Sequence, residues 1–291
     1  MKFFLLLIFL FPLGSKASFA TDQLRVLTLN TWMIPVKRKK AKVRSKLIGK
    51  AIQGYDIALL QEVFTSKVRR LITNSTNRAG FSNRFQKREF LKVNAGVQSF
   101  SKYQITKSAF LRFTNCNGGQ CLSRKGVLYI QIKLPSGQLL DVFNTHLQAY
   151  EKDSEIRKRQ LVKAMKFINK YNSQSTPALF AGDFNIIGET QEYDELMNTL
   201  IGYQDAWKEL KSGEPGYTWN PSVNTWASFD YEESRLHQRL DYIFIKSTSE
   251  VQVKVKSINL ASNKKKAYRK SDYFLSDHFG VEAILEISSV K

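Results

Sequence analysis

The chain has 291 residues, and its 45 lysines and arginines outnumber 25 acidic residues to give a formal net charge of +20. Strand signals run evenly to Ile287 with no Pro/Gly/Ser-rich linker, internal repeat or low-complexity block, which excludes a disordered chain or a string of small modules. The basic excess suits polyanionic partners, nucleic acid or a membrane surface with anionic lipid, and equally suits solvated loops that keep the protein soluble.

At the N-terminus, Lys2 precedes nine unbroken apolar residues, Phe3 to Phe11, and Ser18 and Ala20 stand where cleavage before Thr21 is expected. Residues 1–20 read as a secretory signal peptide, too short to cross a bilayer of ~30 Å as a helix. Residues 21–291 are then expected to form one secreted, soluble domain, and with no protein partner evident a monomer is expected. Strand-like runs follow at Leu24–Leu29, Ile57–Leu60, Ala95–Phe100, Ala109–Phe113, Val127–Leu134, Leu139–Phe143, Ala178–Ala181, Leu240–Ile245, Val251–Ile258 and Val281–Ile287. Between the fifth and sixth of these, Pro135-Ser136-Gly137 marks a hairpin turn. Helical patterns lie at Val43–Ile52, Val68–Leu71 and, most clearly, Ser154–Tyr171, with Ser154 as the expected cap. Cys116 and Cys121 flank Asn-Gly-Gly-Gln, and in a secreted chain they are expected to form a disulfide that shapes a local turn. Basic clusters stand at Lys37-Arg38-Lys39-Lys40, with Lys42, Arg44 and Lys46, and at Lys264-Lys265-Lys266, with Arg269 and Lys270. Hairpins mixed with helices do not make a simple βαβ series, so two packed sheets with helices outside are predicted.

Polar residues gather at the ends of these strands. Asn30 follows RVLTL, Glu62 follows DIALLQ, and Asn144-Thr145-His146 follows LLDVF. Asp183-Phe184-Asn185 follows ALFAG, Asp241 opens DYIFI, and Ser276-Asp277-His278 precedes FGVEAILEI. The chain has three histidines, and two of them fall in these segments; His237 has no evident partner and is assigned to the surface. Carboxylate and amide oxygens suit a hard Mg²⁺ ion, and a pair of imidazoles suits proton transfer near neutral pH. Together they suit metal-assisted hydrolysis of a phosphodiester.

Taken in order, these six motifs resemble the endonuclease/exonuclease/phosphatase superfamily, from LTLNTW to LSDHFGVEAIL. The resemblance implies an α/β fold, a four-layer α/β/β/α sandwich of two mixed sheets with outer helices. It implies Glu62 as the main Mg²⁺ ligand, supported by Asn30 and Asp277. Asp183 and Asn185 correspond to the pair that grips the attacking water and the phosphate. Asp241 and His278 correspond to a dyad whose imidazole takes a proton from water, and His146 to the group that protonates the leaving oxygen or stabilises charge on the transition state.

Within the superfamily the chain is most similar to bacterial neutral sphingomyelinase C, on NTHLQA at 144–149, Ser123-Arg124-Lys125-Gly126-Val127, Asn94-Ala95-Gly96-Val97 with Ser101-Lys102-Tyr103, and Arg239-Leu240-Asp241-Tyr242. Where hemolytic members carry a membrane-entering aromatic hairpin, this chain has the basic stretch Ser262–Lys270 with Tyr268 alone; Tyr273 and Phe274 come later. Electrostatic adsorption to an anionic membrane is the substitute expectation. The resemblance implies a secreted Mg²⁺-dependent phosphodiesterase that splits sphingomyelin into ceramide and phosphocholine. The basic charge keeps a secreted endonuclease on the same site as the alternative. A catalytically silent binder and a phosphomonoesterase are weaker alternatives.

Overall fold

The computed structural model describes residues 21–35, 40–76, 80–81, 94–227, 236–268 and 271–290. The expected signal peptide and the basic residues Lys37, Arg38, Lys39, Arg269 and Lys270 lie outside the described residues. In chain order the elements are β1 (Asp22–Asn30), α1 (Ala41–Ala51), β2 (Ile57–Gln61), α2 (Ser66–Thr76), β3 (Gly80–Phe81), β4 (Gln98–Ser101) and β5 (Gln104–Arg112). Then come β6 (Gly126–Lys133), β7 (Leu139–His146), α3 (Ser154–Tyr171), β8 (Ala178–Asp183), α4 (Gln191–Thr199), β9 (Gln204–Asp205) and α5 (Ala206–Lys211). The chain continues through β10 (Asp241–Lys246), β11 (Val251–Ala261), β12 (Lys266–Tyr268), β13 (Ser271–Tyr273) and β14 (Gly280–Ser289).

Two six-stranded sheets form, in the orders β11-β14-β1-β2-β4-β3 and β5-β6-β7-β8-β10-β9. Each contains one parallel pair, β1 with β2 and β7 with β8, so both are mixed. Side chains alternate across a strand, which gives each sheet two apolar faces to cover. Leu24, Val26, Ile57 and Leu59 of the first sheet meet Ile130, Val142, Leu179 and Ile243 of the second in the central core. Leu27, Leu29, Ala58 and Leu60 point the other way, onto Ile48, Ile52, Val68 and Ile72 of the α1–α2 layer. On the far side Phe143, Phe180 and Phe244 pack against Leu161, Ala164 and Ile168 of α3 and Leu196 of α4. Each of the larger of these side chains, Val, Leu, Ile or Phe, contributes about 1.5–3 kcal/mol when fully buried. The result is the four-layer α/β/β/α sandwich expected from the sequence.

The β6–β7 hairpin forms as its turn residues predict, with Lys133 opposite Leu139. Cys116 and Cys121 are disulfide-bonded, closing a loop whose cross-link contributes about 2 kcal/mol by chain entropy. Some expectations fail for local reasons. Ser154 is not the cap of α3: it is already helical, and Asp153 precedes it without a side-chain cap bond. The Ala95–Phe100 run enters the sheet only at Gln98. Helices α4 and α5 escape a search for apolar periodicity because each is short and buries only two residues, Tyr193 and Leu196, or Ala206 and Trp207. Their starts are set by polar caps, Thr190 accepting from the Tyr193 N–H and Asp205 from the Trp207 N–H.

Candidate active site

Topology brings the polar strand ends to one place. Strands β7 and β8 run parallel and β10 antiparallel to them, so the last residues of the first two meet the first residue of the third: His146 pairs with Asp183, and Asp183 with Asp241. In the facing sheet β14 runs antiparallel to β1, which sets Asp277 and His278, just before β14, beside Asn30 at the end of β1. Glu62 follows β2, the parallel neighbour of β1. Asn30, Glu62, His146, Asp183, Asn185, Asp277 and His278 line one cavity of about 540 Å³, and Asp241 lies directly behind His278.

Two glycines make this geometry sterically permissible. A Cβ at Gly126 would stand 1.9 Å from the Leu111 carbonyl oxygen, so the Lys125-Gly126 pair needs glycine for β6 to approach β5. Gly182 has φ +146°, and a Cβ there would meet the Thr145 carbonyl oxygen at 2.0 Å, one position before Asp183. Glu62 and Asn185 are themselves left-handed, at φ +60° and +52°. Asparagine tolerates that region; glutamate pays a strain cost of about 1–3 kcal/mol, held by the surrounding fold.

Asp183 sits at the centre. Its Oδ2 accepts from Asn30 Nδ2 at 2.8 Å and its Oδ1 from the Asn185 N–H at 2.9 Å. Burial and the neighbouring Asp241 push its carboxyl up to about 6, against the pull of His278 and Lys125. Asn185 Nδ2 donates to the Leu147 carbonyl at 3.1 Å, leaving its second amide hydrogen for a ligand.

On one side of Asp183, His278 Nδ1 lies 2.8 Å from Asp241 Oδ2, and the edge of Trp219 packs on the ring at 5.2 Å between centroids. Burial alone would lower the pKa of His278. Asp241, Asp183 and Asp277 outweigh it and raise the imidazole to about 10, so it is charged at neutral pH in the ion-free site.

On the other side His146 Nε2 lies 2.8 Å from Lys125 Nζ and 3.4 Å from Asp183 Oδ2. Lys125 Nζ also donates to the Leu147 carbonyl at 2.6 Å. An ammonium is donor only, so Nε2 accepts and the neutral ring carries its proton on the buried Nδ1, which has no hydrogen-bond partner among the described residues. Burial, then the charges of Lys125 and His278, hold His146 well below the usual histidine range. Burial likewise brings Lys125 down to about 8, partly offset by Asp183 and Glu62.

The third feature is the carboxylate pair Glu62 and Asp277. Burial, then the charge of Asp277, push Glu62 up to about 8, and Glu62 Oε2 is buried with no hydrogen-bond partner among the described residues. Asp277 is raised as well, chiefly by burial, while Ser276 Oγ donates to its Oδ1 at 2.9 Å. An orphaned carboxylate oxygen beside a second raised carboxylate fits a divalent cation, whose charge would reverse both shifts. Asn30 Oδ1 accepts from the Trp32 N–H at 3.0 Å and keeps one lone pair for such an ion. Ligand-capable atoms of Asp183, Asp241 and His278 also lie within 4.8 Å of one another, with Asp241 and His278 joined by their own hydrogen bond.

Sequence reasoning misassigned one residue and missed others. Arg44 stands in the first basic cluster by sequence, yet it is fully buried. Its guanidinium donates to the carbonyls of Thr31, Trp32 and Leu275 and lies over the rings of Trp32 and Trp226. It thus ties the Asn30 and Asp277 loops together. The segment of Lys125 belongs to the resemblance, but its place beside His146 is not readable from sequence; Trp219 and Trp226, which line the cavity with Trp32, carry no sequence signal. His237 is exposed as expected, bonded to Ser222 Oγ at 2.7 Å.

Residues 27–278 match the model of the Endonuclease/Exonuclease/phosphatase family, and the chain belongs to that family. It is a phosphoric diester hydrolase. The inositol phosphosphingolipids phospholipase C of Schizosaccharomyces pombe is 27% identical, over 91% of this chain and 69% of that one. Sphingomyelinase C of Bacillus cereus is 28% identical over 78% of this chain and 77% of that one. Among solved structures, D. rerio TDP2 complexed with a single-strand DNA product shares the fold with a TM-score of 0.72, at 20% identity, covering 91% of this chain and 99% of that one.

Proposed function

We propose that the chain is a divalent-cation-dependent phospholipase C of the sphingomyelinase type, which hydrolyses sphingomyelin to ceramide and phosphocholine. The observation that carries the reading is the cavity itself: two carboxylates with unmet charge demand face an imidazolium–carboxylate dyad across a central aspartate. The likeness to sphingomyelinase C and to the inositol phosphosphingolipids phospholipase C supports a phosphosphingolipid as substrate. Secretion through residues 1–20 belongs to the same reading.

Glu62 and Asp277, with Asn30, would hold the cation, Mg²⁺ by the hardness of their oxygens. When bound, it supplies positive charge that polarises the phosphoryl oxygens and lowers the proton affinity of His278 beside it. Water attacks phosphorus; Asp183 orients it and the His278–Asp241 dyad takes its proton. Asn185 offers an amide hydrogen to a phosphoryl oxygen, and the Lys125 ammonium, held by the neutral His146, sets a positive charge on this side for the developing oxyanion. The bond from phosphorus to the ceramide oxygen breaks, and that oxygen gains a proton from this Lys125–His146 side.

The net charge of +20 favours the second reading, a secreted endonuclease using the same groups. Purified protein is assayed on sphingomyelin vesicles and on supercoiled plasmid with Mg²⁺. Phosphocholine release without nicking is expected. Nicking at low enzyme concentration with no phosphocholine released assigns the chain to nucleic acid instead.

A further inference from the structure

The Asp241–His278 dyad spans the two sheets. Asp241 opens β10 in one sheet, and His278 stands two residues before β14 in the other. These strands share no ladder, so ordinary strand pairing does not set the 2.8 Å contact between the two side chains. A segment outside the sheets does touch both. Thr218 Oγ1 accepts from the N–H of Leu240 at 3.0 Å and of Asp241 at 3.3 Å. The carbonyl of the same residue accepts from the Phe279 N–H at 2.7 Å, immediately after His278. Asn224 Nδ2 donates to the carbonyls of Ser276 at 2.8 Å and Asp277 at 3.0 Å. Its Oδ1 accepts from the Trp226 N–H at 3.1 Å. Both side chains are fully buried. Between them Trp219 exchanges two backbone bonds with Gln238 and lays its ring against His278.

We propose that Thr218 and Asn224 are positioning residues that hold Asp241 and His278 at bonding distance across the two sheets. The chemistry of each side chain is what the task requires. A hydroxyl oxygen has two lone pairs and accepts both N–H groups at the start of β10, whereas an isosteric valine accepts neither. A primary amide donates twice and so grips two successive carbonyls of the Ser276–His278 loop; leucine fills the space without gripping. Neither residue reaches the phosphodiester, and both act through the dyad. Misplacing a reacting group by about 1 Å costs on the order of 10²-fold in rate, so the brace governs turnover more than binding.

The activity readout rests on the phosphodiesterase reading; the structural readout does not. In ion-free protein the Nδ1 proton of His278, shared with Asp241, is followed as a low-field proton resonance and assigned by its loss in His278→Ala. Thr218→Val and Asn224→Leu are expected to shift or abolish this resonance, and Thr218→Ser, which keeps the hydroxyl, to retain it. On bis(p-nitrophenyl) phosphate with Mg²⁺, Thr218→Val and Asn224→Leu should lower kcat by about 10- to 100-fold with KM changed less than about threefold, and Thr218→Ser should restore it. If Thr218→Val does not fold, Asn224→Leu carries the test, with Asn224→Asp, which keeps the acceptor for Trp226 and sets a carboxyl oxygen against the two carbonyls, expected to act in the same direction. A lowered Tm with the resonance and kcat unchanged would make both residues ordinary scaffold and overturn the proposal. Failure of the wild type to cleave the diester would count against the phosphodiesterase reading and leave the resonance to decide this one.

Discussion

Two histidines share one cavity, and their imidazoles are driven in opposite directions. His278 faces Asp241, with Asp183 and Asp277 nearby, and is raised to about 10; His146 faces Lys125 and is held well below the usual range. Both rings are almost fully buried, so desolvation is common to both and does not separate them. The sign of the nearest neighbour does. Two residues of one type, at strand ends on the same rim, thus acquire different charge states from their contacts. Asp183 lies between them and is the point at which the two halves communicate.

Removing the cation side of this arrangement should have the largest effect. Glu62→Gln keeps the volume and deletes the charge, so turnover on the diester should fall by more than about 10³-fold with folding intact by circular dichroism. Chelation of wild type should match it, and Mg²⁺ should restore the wild type only. Full turnover in chelator would remove Glu62 from the role given to it.

Cutting at either histidine tests the comparison directly. His278→Ala and His146→Ala should each lower kcat by about 10²-fold or more, and Asp241→Asn should follow His278→Ala. His237→Ala should be silent. Equal losses from His237→Ala, with His146→Ala active, would mean that the cavity is not the reacting centre. Lys125→Met sharpens the point at about 10-fold, a single charge-assisted contact removed. The His146 imidazole, followed by NMR in ion-free protein, should then titrate at a higher pH than in wild type, because an adjacent positive charge is gone.

Much of this site was legible in the sequence, and the reason is topological. Asn30, Glu62, His146, Asp183, Asn185, Asp241, Asp277 and His278 all stand at the ends of apolar runs, and parallel and antiparallel neighbours in two facing sheets bring such ends together. What was not legible depends on contacts between segments far apart in the chain. Nothing local distinguishes Arg44 from the exposed Lys42 two residues earlier, yet it is buried among three carbonyls. The Thr218–Asn224 segment has no helical or strand period, and its role exists only across the gap between two sheets. The proton positions were illegible for the same reason, since Lys125 reaches His146 from another strand.

Surface charge should matter less than any of these contacts. Lys40, Lys42, Lys264 and Lys265 are exposed, and none of them lines the cavity. Neutralising the Lys37–Lys40 and Lys264–Lys266 clusters should weaken binding to anionic vesicles and flatten its salt dependence, at about 1 kcal/mol per charge near the surface. Turnover on detergent-dispersed sphingomyelin should stay within about twofold, as expected for groups that act through the long-range field. A collapse of that turnover would place the clusters in the chemistry.

The smallest effect is also the most specific to the cation corner. Glu62 has its pKa raised from the ordinary 4.5 to about 8. A raised carboxyl binds its proton more tightly in the folded state, so its contribution to stability is complete below 4.5 and is lost as the pH rises through 8. Ion-free protein should therefore lose Tm across that window, while Glu62→Gln, which has no proton to lose, should lose less. A bound cation needs the deprotonated carboxylate, so it should add little to Tm at pH 5 and progressively more towards pH 8, by a few degrees. Differential scanning calorimetry with and without Mg²⁺ at both pH values measures this. A cation-induced gain that is the same at both, or that survives in Glu62→Gln, would place the ion elsewhere and break the link between the raised carboxylate and the site.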